Sequence, residues 1–150
     1  MSRRARQRSR DLKRWPQRRW SWLFRATGYS CRLGELRVGR RSSWLDRWLA
    51  EVGCKRWIWV TADNPGVELH GRDVNAAAQE RLLRWLVAMD VEALPMTATA
   101  DAGDWPAEHG YLCCGMSMKL GRDIGRHFGQ AAVLAGKQKG RVRLIWLAGS

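Results

Sequence analysis

The chain has 150 residues, of which 45% are hydrophobic, and its 27 Lys and Arg against 14 Asp and Glu give a formal net charge of +13. This length predicts a single domain that can bury a core, and the hydrophobic fraction excludes a wholly disordered chain. No segment approaches the roughly 20 consecutive apolar residues of a membrane-spanning helix, so no transmembrane segment is predicted.

Most of the positive charge lies at the N-terminus. Residues 1–25 contain ten basic residues and one acidic residue, which gives +9 and leaves +4 for the rest of the chain. Because like charges repel, we predict a largely disordered Arg-rich arm over residues 1–27. A short amphipathic segment between Leu12 and Phe24 is interrupted by Pro16. Residues 28–150 are predicted to form one compact domain.

Three partners compete for this arm. Nucleic acid or another polyanion is the first, because arginines neutralise phosphates and Trp rings stack on bases. The arginines assigned to this contact are Arg3, Arg4, Arg6, Arg8, Arg10, Arg14, Arg18 and Arg19. An anionic membrane surface is a less favoured partner, and an organellar targeting receptor is the third. The structural alternative is a solvated tail without a partner, or an extension from a misplaced start codon. A secretory signal is not predicted, because Trp20–Phe24 is too short for its apolar region.

The elements of residues 28–150 follow from hydrophobic periodicity and turn residues. The predicted strands are Tyr29–Leu33, Glu35–Val38, Arg56–Ala62, Val91–Thr99 with a break at Pro95, Tyr111–Met116, Ala131–Leu134 and Val142–Leu147. The predicted helices are Ser43–Val52, Val74–Asp90 and a short helix capped by Ser117. We expect Ser43 and Asp73 to cap the first two helices, and Gly53 to end the first.

The order of these elements is ββ-α-β-α-β-β-α-β-β, in which helices and strands alternate through the middle of the chain. This order predicts an α/β domain with helices packed on one mixed sheet, partly parallel and with antiparallel pairs at its ends. An α+β fold is the alternative.

The four cysteines, Cys31, Cys54, Cys113 and Cys114, form no C-x-x-C pair, and the three histidines show no metal-ligand spacing. The sequence therefore predicts no metal site and no cofactor. We expect the cysteines to be small buried side chains in a reducing cytoplasm. Since neighbours on a strand point to opposite faces, Cys113 and Cys114 should enter different sides of a sheet.

Four short motifs occur in order along the chain. Thr61-Ala62-Asp63-Asn64-Pro65 resembles T-A-x-N-P, Asn75 follows at a helix start, Trp105-Pro106-Ala107-Glu108 resembles W-P-x-E, and residues 125–132 resemble G-R-x-F-G-Q-N-A. Together they are similar to a bacterial family of unknown function, DUF3293, from about Tyr29 to Leu147. The resemblance implies a compact α/β domain and brings no established activity, substrate or cofactor. Asp63 stands where the family has an aromatic residue and Ala131 where it has Asn, which implies an altered ligand site if those positions shape one.

Polar residues follow the buried strand Arg56–Ala62. Thr61 and Asn64 leave its carboxyl end and Asn75 begins the next helix, so all three should meet at one sheet edge, where ligands commonly bind. With the free N–H groups of a helix start they could hold a phosphate or carboxylate. The structural alternative is ordinary loop and cap chemistry.

Two long polar side chains stand where apolar residues are expected. Glu108 precedes one buried strand and Gln130 precedes another. Glu108 is the candidate catalytic residue, as a general acid or base with a raised pKa. The structural alternative is a bond from Glu108 to backbone N–H groups or to an arginine such as Arg126. His109 and His127 are expected at the surface. The predicted ligand-binding residues are Thr61, Asn64, Asn75, Glu108 and Gln130.

Two functions follow, and the sequence leaves open whether any reaction is catalysed. The first is a binding module for a phosphate-bearing ligand or nucleic acid, to which the arm adds non-specific electrostatic affinity. The alternative is a small enzyme for a nucleotide-like or polar metabolite, with Asn64, Asn75, Glu108 and Gln130 in one pocket. A third interpretation is a protein-interaction domain with exposed Trp. Convergence of the predicted residues on a pocket favours ligand chemistry, and their scatter through the core favours a structural role.

Overall fold

A computed structural model describes residues 17–65 and 69–147 of the chain. Its helices are α1 (Gln17–Arg25), α2 (Ser43–Val52), α3 (Arg72–Ala88) and α4 (Met118–His127). Its strands are β1 (Thr27–Cys31), β2 (Gly34–Leu36), β3 (Arg56–Thr61), β4 (Glu92–Ala100), β5 (Glu108–Cys114), β6 (Ala132–Lys137) and β7 (Arg143–Trp146). After α1, the order ββ-α-β-α-β-β-α-β-β is the predicted one, and a mixed α and β single domain is confirmed. None of these helices is long and apolar enough to cross a membrane.

The strands form one sheet in the order β2-β1-β4-β5-β3-β6-β7. Every pair of neighbours is antiparallel, so the predicted parallel pairs are wrong and the α+β alternative describes the sheet. The reason lies in the crossovers. α3 joins β3 to β4 and α4 joins β5 to β6, and each helix does connect strands of the same direction. One antiparallel strand is inserted between the members of each pair, as in a split β-α-β unit.

The sheet is covered on both faces, and β3 shows why. Ile58 and Val60 point to one face, where they pack with the buried residues of α3 and α4. Trp57 and Trp59 alternate with them and point to the other face, where they pack with the buried residues of α2. The predicted packing of helices on the sheet is therefore confirmed, and a strand buried on both faces explains its continuous apolar sequence.

The helix α1 corrects part of the prediction for the N-terminal arm. The arm was expected to be largely disordered over residues 1–27, but residues 17–25 are helical. Phe24 packs edge-on against Trp146 of β7, with ring centroids 5.5 Å apart. The hydroxyl of Thr27 donates to the carbonyl of Leu23 at 2.7 Å and closes the end of the helix. Phe24 and Trp146 are distant in sequence, and their contact is not visible in the sequence of the arm. The prediction therefore rested mainly on charge repulsion within the arm. Residues 1–16 lie outside the described residues.

The helix ends agree with the prediction in part. Gly53 ends α2 in the left-handed conformation, with φ of 76°, as expected. The N-cap of α2 is Ser42 instead of Ser43, and its hydroxyl accepts the N–H three residues later. Asp73 lies inside the first turn of α3, where a negative charge suits the helix dipole, and Gly71 occupies the cap position. The two N-caps therefore lie one and two residues before the predicted ones.

The predicted break of β4 at Pro95 is wrong. The strand runs without interruption from Glu92 to Ala100, and Pro95 lies opposite Tyr111 of β5. β1 pairs only with residues 97–100 of β4, so the other edge of β4 at Pro95 carries no paired strand. A proline that turns its missing N–H toward an unpaired edge removes no ladder hydrogen bond.

Two of the four cysteines are joined. Cys54, after α2, and Cys114, at the end of β5, form a disulfide with a Cα–Cα distance of 5.9 Å. The expectation that all four are reduced is therefore wrong for this pair, because 60 residues separate two positions that the sheet brings together. Cys113 is free and buried, and Cys31 is free and partly exposed. Cys113 and Cys114 do enter opposite sides of the sheet, as predicted.

Candidate functional site

A cavity of about 370 Å³ lies between α1 and the sheet face that carries Trp59. Four of the five predicted ligand-binding residues line it: Thr61, Asn64, Glu108 and Gln130. They come from the end of β3, the start of β5 and the segment before β6, so only the tertiary structure brings them together. This volume is within the range of pockets that enclose small organic molecules.

The register of the sheet opens this space. Tyr29 of β1 lies opposite Ala98 of β4, and Ala98 lies opposite Glu108 of β5. Side chains in such a cross-strand row point to the same face. Next to this row, Thr27 lies opposite Ala100, and both line the cavity. Because alanines separate the longer side chains, the sheet surface is hollow at this point.

Trp59 forms one wall of the cavity. A Cβ added at Gly110 would lie 2.6 Å from its ring atom Cζ2, so the glycine allows the indole to lie against β5. The ring of Tyr29 meets the indole edge-on, with centroids 4.9 Å apart. The indole N–H of Trp59 is buried and has no acceptor among the described residues. The wall therefore offers an aromatic surface to the cavity, while the indole N–H is sealed off within the protein.

Asn64 is fixed by Asn75. Its φ of 48° is in the left-handed region, which asparagine tolerates. Its Oδ1 accepts from the Asn75 Nδ2 at 2.9 Å and from the His70 N–H at 3.0 Å, while Asn75 Oδ1 accepts the Asn64 N–H at 3.0 Å. Asn75 does not line the cavity among the residues described. The contacts of Asn75 fit the structural alternative, since they position Asn64. They use the N–H and the Oδ1 of Asn64 and do not involve its Nδ2.

A second network fixes Thr61 and Gln130 around Asp63. The Thr61 hydroxyl accepts the Asp63 N–H at 3.1 Å and donates to the His109 carbonyl. The Asp63 carboxylate accepts the His109 N–H at 2.8 Å. Gln130 Nε2 donates to the carbonyls of Asp63 and Phe128, at 3.0 and 3.3 Å. With its amide nitrogen occupied in this way, Gln130 has only its Oε1 to offer to a ligand.

Glu108 is the charged group of the cavity. Burial, with a smaller contribution from the nearby Asp63, raises the pKa of its carboxyl to about 7, against the opposing effect of hydrogen bonds from Trp105 and Asn64. The Trp105 bond joins Nε1 to Oε1 at 3.4 Å. The guanidinium of Arg126, the alternative partner, lies 3.8 Å from Asp123.

The two histidines near the predicted motifs are surface residues, as expected. His109 is exposed, and its Nδ1 lies 3.5 Å from the Thr97 hydroxyl. His127 is exposed and stacks on Trp85, with centroids 5.4 Å apart. Neither ring lines the cavity. The described part of the chain also contains no group of three or more His, Cys, Asp or Glu side chains with the arrangement of a metal site.

The family model described as "Protein of unknown function (DUF3293)" matches residues 60–133. This range contains all four motifs that carry the resemblance. It also contains the polar residues of the cavity, Thr61, Asn64, Glu108 and Gln130. Residues 60–133 belong to the DUF3293 family. No curated protein and no solved structure matches the chain.

The two positions at which this DUF3293 member departs from the family pattern both lie at the site. Ala131 lines the cavity. Asp63 is buried, and its negative charge raises the pKa of Glu108.

Sequence reasoning missed the aromatic lining of the DUF3293 cavity. Besides Trp59, the lining contains Phe24, Tyr29, Trp105 and Trp146, from α1, β1, the loop before β5, and β7. Apolar residues at regular spacing on strands and helices are predicted to belong to the hydrophobic core, so the sequence does not distinguish them from residues that line a cavity. The one available signal was Trp105 in the W-P-x-E motif, three residues before Glu108, which is the spacing that brings its N–H to the carboxyl.

Proposed function

We propose that this DUF3293 protein binds a small organic molecule in the cavity and that Glu108 exchanges a proton with it. The observation that carries the proposal is the convergence of Thr61, Asn64, Glu108 and Gln130 on one cavity. Structural roles alone would not require these four side chains to surround a void of about 370 Å³. This supports the small-enzyme alternative over the phosphate-binding module.

A phosphate-bearing ligand finds no support in this cavity. Among the described residues, no Lys, Arg or His lines it. Its charged side chain is Glu108, with the carboxylate of Asp63 close enough to raise the pKa of Glu108. A phosphate placed there would be desolvated beside negative charge without a compensating cation. We therefore separate the ligand of the cavity from any polyanion bound by the arm.

Glu108 is suited to acid–base chemistry. A carboxyl with a pKa of about 7 is present in both protonation states at neutral pH, which is the condition for efficient proton transfer in either direction. The proposed supporting roles follow from the hydrogen bonds. Asn64 and Trp105 donate to Glu108 and orient it, and Gln130 Oε1 contacts the ligand, whereas the hydroxyl of Thr61 is already used by protein partners.

The first test is a fragment screen by ligand-observed NMR. Ala98→Leu places extra volume in the cavity between Tyr29 and Glu108, and Ala77→Leu on the exposed face of α3 is the matched control. Fragments that bind the cavity should bind the wild type and Ala77→Leu, and lose binding to Ala98→Leu. A set of hits that binds Ala98→Leu as tightly as the wild type would contradict the proposal.

We propose a second, independent activity for the arm, which is non-specific binding of nucleic acid or another polyanion. Its support is the +9 charge of residues 1–25. A cytoplasmic location, where nucleic acid is the abundant polyanion, belongs to this proposal; the Cys54–Cys114 disulfide is the observation that weighs against a reducing compartment. Deletion of residues 1–16 keeps α1 and removes seven of the ten basic residues of the arm, so it should strongly weaken binding of a fluorescent oligonucleotide and reduce the dependence of that binding on salt. Unchanged binding would exclude the arm.

A further inference from the structure

We infer that the cavity selects a compact molecule that carries a basic nitrogen on an aromatic body. The inference rests on the proposed function, since it names the chemical class of the ligand in the same cavity. Two features of the lining support it: the balance of charge and the aromatic walls.

The charge of the cavity favours a cation. Glu108 makes no ion pair with a described residue, and its two hydrogen-bond donors, Trp105 and Asn64, are both neutral. Asp63 is buried beside it, with one carboxylate oxygen bound by a backbone N–H. A buried carboxylate without a cationic partner is unfavourable, and a ligand ammonium or amidinium group supplies that partner.

The aromatic walls favour the same class. Phe24, Tyr29, Trp59, Trp105 and Trp146 all line the cavity. Their ring faces carry negative electrostatic potential, which attracts cations, and their area buries the apolar body of a ligand. An anion would meet these faces and Glu108 together, so both features disfavour it.

Three probes with the same phenol ring test the charge preference: tyramine is a cation, 4-(2-hydroxyethyl)phenol is neutral and 4-hydroxyphenylacetate is an anion. We expect tyramine to bind the wild type about tenfold or more tightly than the neutral probe at pH 8, as measured by NMR titration, since a desolvated charge pair contributes at least this factor. The anion should bind weakest.

Glu108→Gln tests the source of the preference. The amide keeps the shape of the side chain and removes its charge, so tyramine and the neutral probe should bind this variant within about threefold of each other. Glu92→Gln, at an exposed glutamate at the start of β4, is the matched control and should keep the wild-type preference.

The pH dependence of the wild type is a second measurement that needs no variant. Asp63 and Tyr29 are the titratable groups that interact electrostatically with Glu108. Burial and the charge of Glu108 raise the pKa of Tyr29, so its hydroxyl stays protonated. Ionised Glu108 pairs with the cation, so tyramine affinity should rise about tenfold from pH 6 to pH 8, as the ionised fraction does for a pKa of about 7. The affinity of the neutral probe should not rise.

The outcomes separate the two proposals. Equal or tighter binding of the neutral or anionic probe, lost in Ala98→Leu, would overturn the cation preference and leave the proposed function standing. Failure of all three probes, together with a fragment screen that yields no hit sensitive to Ala98→Leu, would overturn both.

Discussion

Replacement of Glu108 by glutamine should stabilise the protein at alkaline pH. The carboxyl titrates near 4.5 when unfolded, and burial raises its pKa to about 7 in the folded state. Below pH 4.5 the group is protonated in both states, so it imposes no cost. As the pH rises, the unfolded state releases the proton first, and the stability of the folded state falls until the pH passes about 7.

The size of this effect follows from the two pKa values. Their difference corresponds to about 3 kcal/mol of lost stability above pH 7, of which about 2.5 kcal/mol is lost between pH 5 and pH 8. Glu108→Gln carries no ionisable group, so the variant should match the wild type near pH 4 and exceed its free energy of unfolding by about 3 kcal/mol at pH 8.

Urea unfolding at a series of pH values provides the measurement. The difference between the wild type and Glu108→Gln isolates the carboxyl, because all other titrating groups are shared. Glu92→Gln should follow the wild type at every pH, since Glu92 is exposed. If the wild type and Glu108→Gln lose stability in parallel from pH 5 to pH 8, the carboxyl is not desolvated and its proposed role in proton transfer loses its physical basis.

Three further predictions concern the framework. Denatured, unreduced protein should expose two thiols to Ellman's reagent, and reduction of Cys54–Cys114 should lower the free energy of unfolding by about 4 kcal/mol; four reactive thiols would refute the disulfide. Gly110→Ala should cost about 1–3 kcal/mol in urea unfolding, because its Cβ would clash with an indole ring and a backbone oxygen, and an unchanged midpoint would contradict this geometry. Asn75→Ala should cost about 1–3 kcal/mol by leaving Asn64 groups unpaired, and a cost below about 0.5 kcal/mol would place those bonds in solvent.

Local sequence predicted the elements of the fold better than their pairing. Helix α2 was predicted with its bounds and its terminal Gly53, because periodicity and a left-handed glycine are local signals. The direction of neighbouring strands depends on which strand occupies the gap beneath a crossover. β5 follows β4 and fits between β4 and β3, and no local pattern distinguishes this insertion from a direct parallel pair.

The residues of the candidate site also differ in whether the sequence alone could identify them. Glu108 and Gln130 could be identified because polar residues beside buried strands contradict their surroundings. Tyr29 and Trp59 could not, since an aromatic residue on a strand agrees with a core position whether it faces a cavity or a packed neighbour. Only the register that places Ala98 between Tyr29 and Glu108 shows that space remains there.

The charge of the chain also divides between two regions of opposite preference. The arm carries +9 and attracts anions, whereas the cavity is lined by Glu108 and repels them. One anionic ligand therefore cannot explain both. α1 separates the regions, since Leu23 and Phe24 belong to the cavity wall. A deletion that ends at residue 16 should strongly weaken oligonucleotide binding and leave tyramine binding intact, whereas Glu108→Gln should weaken tyramine binding and leave oligonucleotide binding intact. Loss of both activities in either variant would show that the arm and the cavity act as one site.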